Sequence, residues 1–225
     1  MVSVANGEVV VPGDVVDQLK NVKLVGPGLR VCDGHVVALR CGVVTRDEGN
    51  VWINYFEKRY EPVLDDLVVG QVVQQLSDGW KVHIGCAMLA NLSFMAFEGA
   101  TKRNRPDLKL GDVIYAKVVE TVEPQLVCVT PDGKAKGMGV LPPGGMVVRY
   151  SPGVSRKLLS PNSVILSTIG EDLPFEIACG LNGWIYVKSR TVEDTQAVLK
   201  MLQLVECFPT SGCSVSEVFK TLRGF

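Results

Sequence analysis

Three cations, Lys102, Arg103 and Arg105, fall within one short stretch closed by Pro106. Two aromatic residues, Phe94 and Phe97, precede them three positions apart, and Gly99 breaks the chain in between. Cations displayed on a loop suit a phosphate backbone, and flat rings beside them suit exposed bases. On charge alone, a solvated surface turn is the preferred reading. The surroundings shift that balance. The run from Leu92 to Asp112 reads as a strand, an exposed basic loop, and a Gly111-Asp112 turn launching a return strand, Val113 to Val119. On a neighbouring strand Trp80, Val82 and Ile84 share one face, which leaves Lys81 and His83 on the other as weaker candidates for the same polyanion. For Trp80 and the two phenylalanines, barrel core is favoured over base stacking.

Bond-breaking chemistry finds little to work with. Seven cysteines are scattered without a CxxC pair, and the two histidines are His35 and His83, so paired metal-ligand spacing is absent. Such a set fits reduced thiols in an intracellular protein. The sequence contains neither GxxxxGK[ST] nor GxGxxG, so a nucleotide cradle has no support. Asp65-Asp66 reads as a solvated turn at a strand start, and Glu171-Asp172 as a loop pair before Pro174. Neither has a histidine or a lysine-bearing glycine loop nearby, as a nuclease centre would need. We expect no enzyme activity, no catalytic residue, no metal and no cofactor.

The elements that must position the cations follow from pattern. The chain has 225 residues, 47% hydrophobic and 21% charged, with a formal net charge of −1. That is ample for real cores and too mixed for disorder. A near-neutral chain that meets RNA must do so through a local patch, helped by partners. The opening MVSVANGEVVVPGD lacks a basic start before an apolar core, so no signal peptide is expected, and no apolar run reaches a membrane-spanning length.

Residues 1–61 read as a small β domain, with strand-like runs His35 to Val44 and Val51 to Tyr60 joined by an Asp47-Glu48-Gly49-Asn50 turn. Trp52, Tyr55, Phe56 and Tyr60 are assigned mainly to its core, and so apolar a small module is a candidate for docking on something larger. Residues 62–133 carry five short strands and one long loop, the pattern of an OB-type barrel. Residues 134–225 comprise a linker plus an α/β unit, the glycine- and proline-rich stretch Asp132 to Gly145 forming the connection. A strand from Met146 leads to a helix capped at Ser151-Pro152 and a second short helix, Ser163 to Ile169. Two strands follow, then a long helix opened by Thr191 to Asp194, and a last helix from the Ser214 to Glu217 capping box. The order β-α-α-β-β-α is that of a KH module. The expected fold is mostly β with α/β: a small N-terminal β domain, an OB-type barrel, which the resemblance described next makes an S1 domain, and a C-terminal KH (βααββα) domain.

The motifs FEGATKRNRP (Phe97 to Pro106), GMGV (Gly137 to Val140), RKLL (Arg156 to Leu159) and GLNGWIYVKS (Gly180 to Ser189) closely resemble the cap subunits of the RNA exosome, in particular the exosome component 3 type. The similarity runs from Gly26 through Glu206. It implies a non-catalytic subunit seated on a ring of RNase PH-like subunits beside other cap subunits, guiding single-stranded RNA into a channel. It also implies a nuclear, nucleolar and cytoplasmic protein with no membrane partner. The sister cap subunit with the same three modules is the nearest alternative within that family. A purely structural clamp with incidental RNA contact is a reading of another class, and a nuclease acting alone is a third.

One departure is physical. A KH clamp needs GxxG between its first two helices, where bare backbone approaches phosphates. That place holds Ser160-Pro161-Asn162-Ser163. The literal GxxG, Gly180 to Gly183, lies between two strands, where glycine permits a tight turn. In the family this GxNG element is regarded as a structural feature of the S1–KH interface. Gly180, Asn182, Gly183 and Trp184 are therefore expected to brace rather than to clamp RNA.

Overall fold

Short valine-rich runs punctuated by glycine build the amino-terminal part of the chain. The computed structural model describes residues 3–55, 59–101, 103–160, 163, 165–171 and 173–207, which fall into two units, Met1–Glu57 and Lys58–Phe225. In the first unit the strands are β1 (Val9–Val10), β2 (Val15–Gln18), β3 (Leu24–Val25), β4 (Leu29–Cys32), β5 (His35–Ala38), β6 (Gly42–Asp47) and β7 (Asn50–Asn54). They form two sheets, ordered β1-β6-β7-β3 and β2-β5-β4. The β6–β7 hairpin turns through Glu48 (φ 45°) and Gly49 (φ 91°), the left-handed pair that a two-residue hairpin loop favours.

Two expectations are corrected here. The run His35 to Val44 is not one strand: β5 and β6 belong to different sheets. The chain crosses at Gly42, where a Cβ would stand 2.5 Å from Asn54 O and 2.6 Å from Ile53 Cγ2, so only glycine lets β6 lie so close to β7. The core is also aliphatic rather than aromatic. Val16, Val36, Val44, Val51 and Ile53 fill it, while Trp52 and Tyr55 are half-buried. Tyr60 packs in the barrel of the second unit, and Phe56 lies outside the described residues.

The second unit holds β8 (Leu67–Gln75), β9 (Gly79–His83), β10 (Ala90–Ser93), β11 (Val113–Glu120), β12 (Gln125–Val127), β13 (Gly139–Val140), β14 (Met146–Arg149), β15 (Phe175–Cys179) and β16 (Trp184–Ser189). Strands β8 to β12 close on themselves, since β12 pairs with both β10 and β11, and β11 returns to β8. Register shifts at Val72/Gln74 and Val118/Glu120 bend the strands at the points where the sheet must curl. Alternation sends Val68, Val72, Val82, Ile84, Ile114 and Ala116 inward, with Trp80 among them. The stretch Asp132 to Gly145 is not a bare linker. Its β13 pairs with β11, Ala135 N donates to Glu98 at 2.6 Å, and Pro142 O accepts from Tyr186 Oη at 2.6 Å.

The α/β part has an antiparallel sheet ordered β14-β16-β15, with helices α1 (Pro152–Leu159), α2 (Ile165–Gly170) and α3 (Val192–Cys207), in the chain order β-α-α-β-β-α. Pro152 opens α1, where its missing N–H costs nothing because first-turn N–H groups have no intrahelical acceptor, and the Ser151 side chain makes no capping bond. Helix α3 is capped by Thr191 Oγ1, which accepts from Asp194 N at 3.1 Å, and it buries Val198 and Leu202. The helix expected from Ser214 lies outside the described residues. One sheet face packs on the helices through Ile185 and Val187, and the other presents Trp184 and Tyr186 to the barrel.

In the first unit, Asp17 is 3% exposed and takes Arg46 at 2.7 Å and Asn21 at 3.0 Å. Burial opposes its charge, but these hydrogen bonds outweigh it and hold the carboxyl below its ordinary value of 3.8. Its contribution is therefore present above that value and lost as pH falls through the folded-state pKa. Asp17→Asn should destabilise the first unit by on the order of 3 kcal/mol at neutral pH, by leaving Arg46 unpaired. Urea unfolding followed from pH 7 to pH 3 should show the gap between parent and variant closing with acid. A gap that stays constant would remove the carboxylate from the account.

Candidate nucleic-acid interface

The basic loop is buried at its roots and exposed at Arg103 and Arg105. Ala96 and Leu108 are buried in the barrel on either side of it. Phe97 stands edge-on to Trp80, with ring centroids 6.1 Å apart at 85°. At the crown, Thr101 N donates to Asn104 O at 3.0 Å and Asn104 N to Thr101 Oγ1 at 3.0 Å, which closes a tight turn that carries Arg103. Arg103 and Arg105 are exposed, and among the described residues neither has an ion pair. The Arg105 guanidinium lies 4.6 Å over the Phe94 ring, which orients it without neutralising it. Lys102 lies outside the described residues.

Trp80 is core, while Phe94 and Phe97 are half-buried against it. Lys81 and His83 are half-buried on the outer face of β9. The structure does not group His83 with the loop. Its ring stacks on Trp184 of the α/β part, with centroids 5.3 Å apart, and its Nδ1 accepts the Gly85 N–H at 3.0 Å.

The strongest polar construction joins the barrel to the α/β part. β9 ends at His83, so Val69 on β8 has no strand partner on that side. The Asn182 side chain supplies one. Its Oδ1 accepts from Val69 N at 3.3 Å, and its Nδ2 donates to Val69 O and to Ile84 O, both at 2.7 Å. Leu181 N adds a bond to Leu67 O at 2.8 Å. Asn182 is 4% exposed, so these are bonds that water cannot replace. The flanking glycines have separate reasons. A Cβ on Gly180 would run into Asn182 Oδ1 and stand 2.5 Å from Val69 N, while Gly183 has φ +81° and faces Tyr150 O. Apolar packing surrounds the amide: Val69, Trp184 and Tyr186 are buried together, with Val113, Tyr115 and Val147 against them.

Of the two acidic pairs, Asp65-Asp66 is occupied structurally, and Asp172 of the other lies outside the described residues. Asp65 binds Lys117 at 2.6 Å, and Asp66 accepts from Tyr60 Oη at 2.6 Å. Burial holds the Asp66 carboxyl above its ordinary range, with the Tyr60 hydrogen bond and the Arg156 charge pulling the other way. Burial likewise pushes the Cys128 and Cys179 thiols up to about 12, which keeps them protonated and poor as ligands or nucleophiles. Among the described residues no cluster of three His, Cys, Asp or Glu could hold a metal ion, and no helix is long and apolar enough to cross a membrane.

Sequence reasoning reached the loop and the GxNG residues. It missed Gly85, where a Cβ would stand 2.9 Å from Trp184 Nε1. It also missed the outward burial of Val69. The signal was available there: Val68 and Val69 are adjacent and both apolar, which an exposed-face strand does not allow.

Comparison with known proteins bears on the same segments. Residues 60–139 match the family model "Exosome complex component RRP40, S1 domain", and residues 145–193 match a KH domain. The chain is similar to exosome complex component RRP40 of Mus musculus, 39% identical over 194 residues, covering 82% of this chain and 71% of the relative. RRP40 of Drosophila melanogaster is 37% identical over 219 residues, covering 93% of both chains. A crystal structure described as an exosome complex RNA-binding protein shares the fold at TM-score 0.62 and 22% identity, covering 74% of this chain and 96% of that one.

Asn182→Ala should cost at least about 3 kcal/mol, because it strands one buried N–H and two buried carbonyls. Equilibrium urea unfolding would read this as a lower midpoint at unchanged slope. A loss below about 1 kcal/mol would mean that the apolar seam alone holds the two parts together.

Proposed function

Since the chain belongs to the exosome complex component RRP40 family, we propose that its basic loop delivers RNA and its apolar first unit seats it on the complex. The protein is a non-catalytic, RNA-binding cap subunit of the RNA exosome, a 3'-5' exoribonuclease complex. Its finer role is to stabilise a ring of RNase PH-like subunits, beside other cap subunits, and to steer single-stranded RNA into the central channel for processing and decay. The observation that carries this reading is the loop: Arg103 and Arg105 are solvent-facing, unpaired among the described residues, and rooted in the barrel core through Ala96 and Leu108. A net charge of −1 suits a subunit that meets RNA at one patch within an assembly.

Docking through the first unit is supported by its exposed aliphatic residues, Val9 at 70% and Leu24 at 63% among them. The same residues favour the second reading, a structural clamp to which RNA contact is incidental. Work in the nucleus, nucleolus and cytoplasm follows from the proposed role. Tagged protein confined to one of these compartments would contradict it.

Three phosphate contacts to a single strand imply a log-log salt slope near −2, at about −0.7 per contact. Replacing Lys102, Arg103 and Arg105 together by alanine should abolish that salt-sensitive binding in the assembled complex while the unfolding midpoint stays put. RNA crosslinks at 102–105 in the parent would argue against the clamp reading. Undiminished binding by the triple variant would remove the loop from the RNA path.

A further inference from the structure

Arg149 is the last residue of β14 and sits directly opposite Trp184 on β16. Its guanidinium lies 4.2 Å over the indole, while Trp184 itself is buried at 4% exposure. Arg149 is exposed, and among the described residues it has no ion pair. One face of the guanidinium is therefore covered by an aromatic ring, while no carboxylate among the described residues answers its charge. An arginine held this way has already lost much of its rotamer freedom, so little more is lost when it binds.

The same indole connects Arg149 to the barrel. Trp184 stacks on His83, whose Nδ1 accepts the Gly85 N–H, so the neutral ring must carry its proton on Nε2 as a donor. Lys81 follows two residues away on the same outer face of β9. The cross-strand neighbours of Lys81 are Gln74 and Asn91, and that of His83 is Gln71. All are uncharged hydrogen-bonding amides. The rim where the barrel meets the α/β sheet thus collects Arg149, Lys81 and His83 with no acid set opposite them in the ladders.

We propose that this rim, with Arg149 as its anchor, is a second contact for single-stranded RNA, separate from the basic loop. The guanidinium offers its N–H edges to a phosphate and its plane to a base, a pairing that arginine provides and lysine does not. The proposal rests on the RNA-binding reading of the protein. It gives the α/β part an RNA contact on its sheet edge, at a place independent of the Ser160-Pro161-Asn162-Ser163 segment that replaces the glycine clamp.

The test titrates a labelled single-stranded RNA of mixed sequence with the full chain at several salt concentrations, comparing three variants with the parent. Arg149→Ala should weaken binding about fivefold or more and flatten the salt slope by about 0.7. Arg149→Lys should restore the slope but not the affinity. Unchanged far-UV circular dichroism in both, expected for an exposed strand end, confines the effect to binding. The third variant, Arg103→Ala with Arg105→Ala, separates the two readings. If it loses binding while Arg149→Ala does not, the rim site is wrong and the loop stands. If neither variant loses binding, the RNA reading beneath both fails. Parental RNA binding by Arg149→Ala combined with poorer entry into the reconstituted complex would give the residue to a protein interface and equally overturn the proposal.

Discussion

The second unit depends on one carboxamide. A barrel built from strands of unequal length leaves backbone groups unmet wherever one strand outruns its neighbour, and β8 outruns β9 at Val69. Buried peptide groups must find partners. The Asn182 side chain has the donor and acceptor of a peptide group, and it fills the vacancy as a short piece of strand would. Because the substitute comes from the loop between β15 and β16, satisfying the barrel also fixes where the α/β sheet lies. The apolar contacts of Val69, Trp184 and Tyr186 then add burial energy to an orientation already set by hydrogen-bond direction.

The cations of the loop are handled in the opposite manner. Arg103 sits in the turn closed by Thr101 and Asn104, Arg105 lies over the Phe94 ring, and among the described residues neither is paired with an acid. Elsewhere in the chain the pairing is conventional: Arg46 with Asp17, Lys117 with Asp65, Lys136 with Asp132. A chain with nearly balanced charge overall can thus keep a strong local field where its acids are placed elsewhere. Arg149 repeats the device with Trp184 in the role of Phe94.

The strands of the barrel were legible because each carries period-two alternation that its own residues announce, as in Trp80, Val82 and Ile84. The βααββα order was legible from helix starts and glycine breaks in the same way. What was not legible depends on partners far away in sequence. The split of His35 to Val44 between two sheets turns on Gly42 meeting Asn54. The pairing of β13 with β11 hides in a stretch whose glycines and prolines read as a connection. The GxNG element was singled out by resemblance, and its spacing alone gave only a turn. That Asn182 reaches back over a hundred residues to Val69 is a fact of tertiary geometry. Arg149 was not singled out, because its place opposite Trp184 is a matter of strand register and not of local pattern.

Asn182 is followed by Gly183, and this dipeptide ages chemically in loose chains. The glycine nitrogen attacks the asparagine carbonyl carbon, ammonia leaves, and hydrolysis of the resulting ring yields aspartate or its β-linked isomer. In the folded protein that nitrogen donates to Gly180 O at 3.0 Å, and the amide it would attack is buried and fully bonded. Native structure therefore acts as a preservative for its own keystone. A molecule that stays unfolded long enough loses the neutral amide, and on refolding would have to inter an anion against two carbonyl oxygens. Lifetime in the unfolded state is thus recorded covalently, and a damaged copy regains the native seam only at a cost in buried hydrogen bonds.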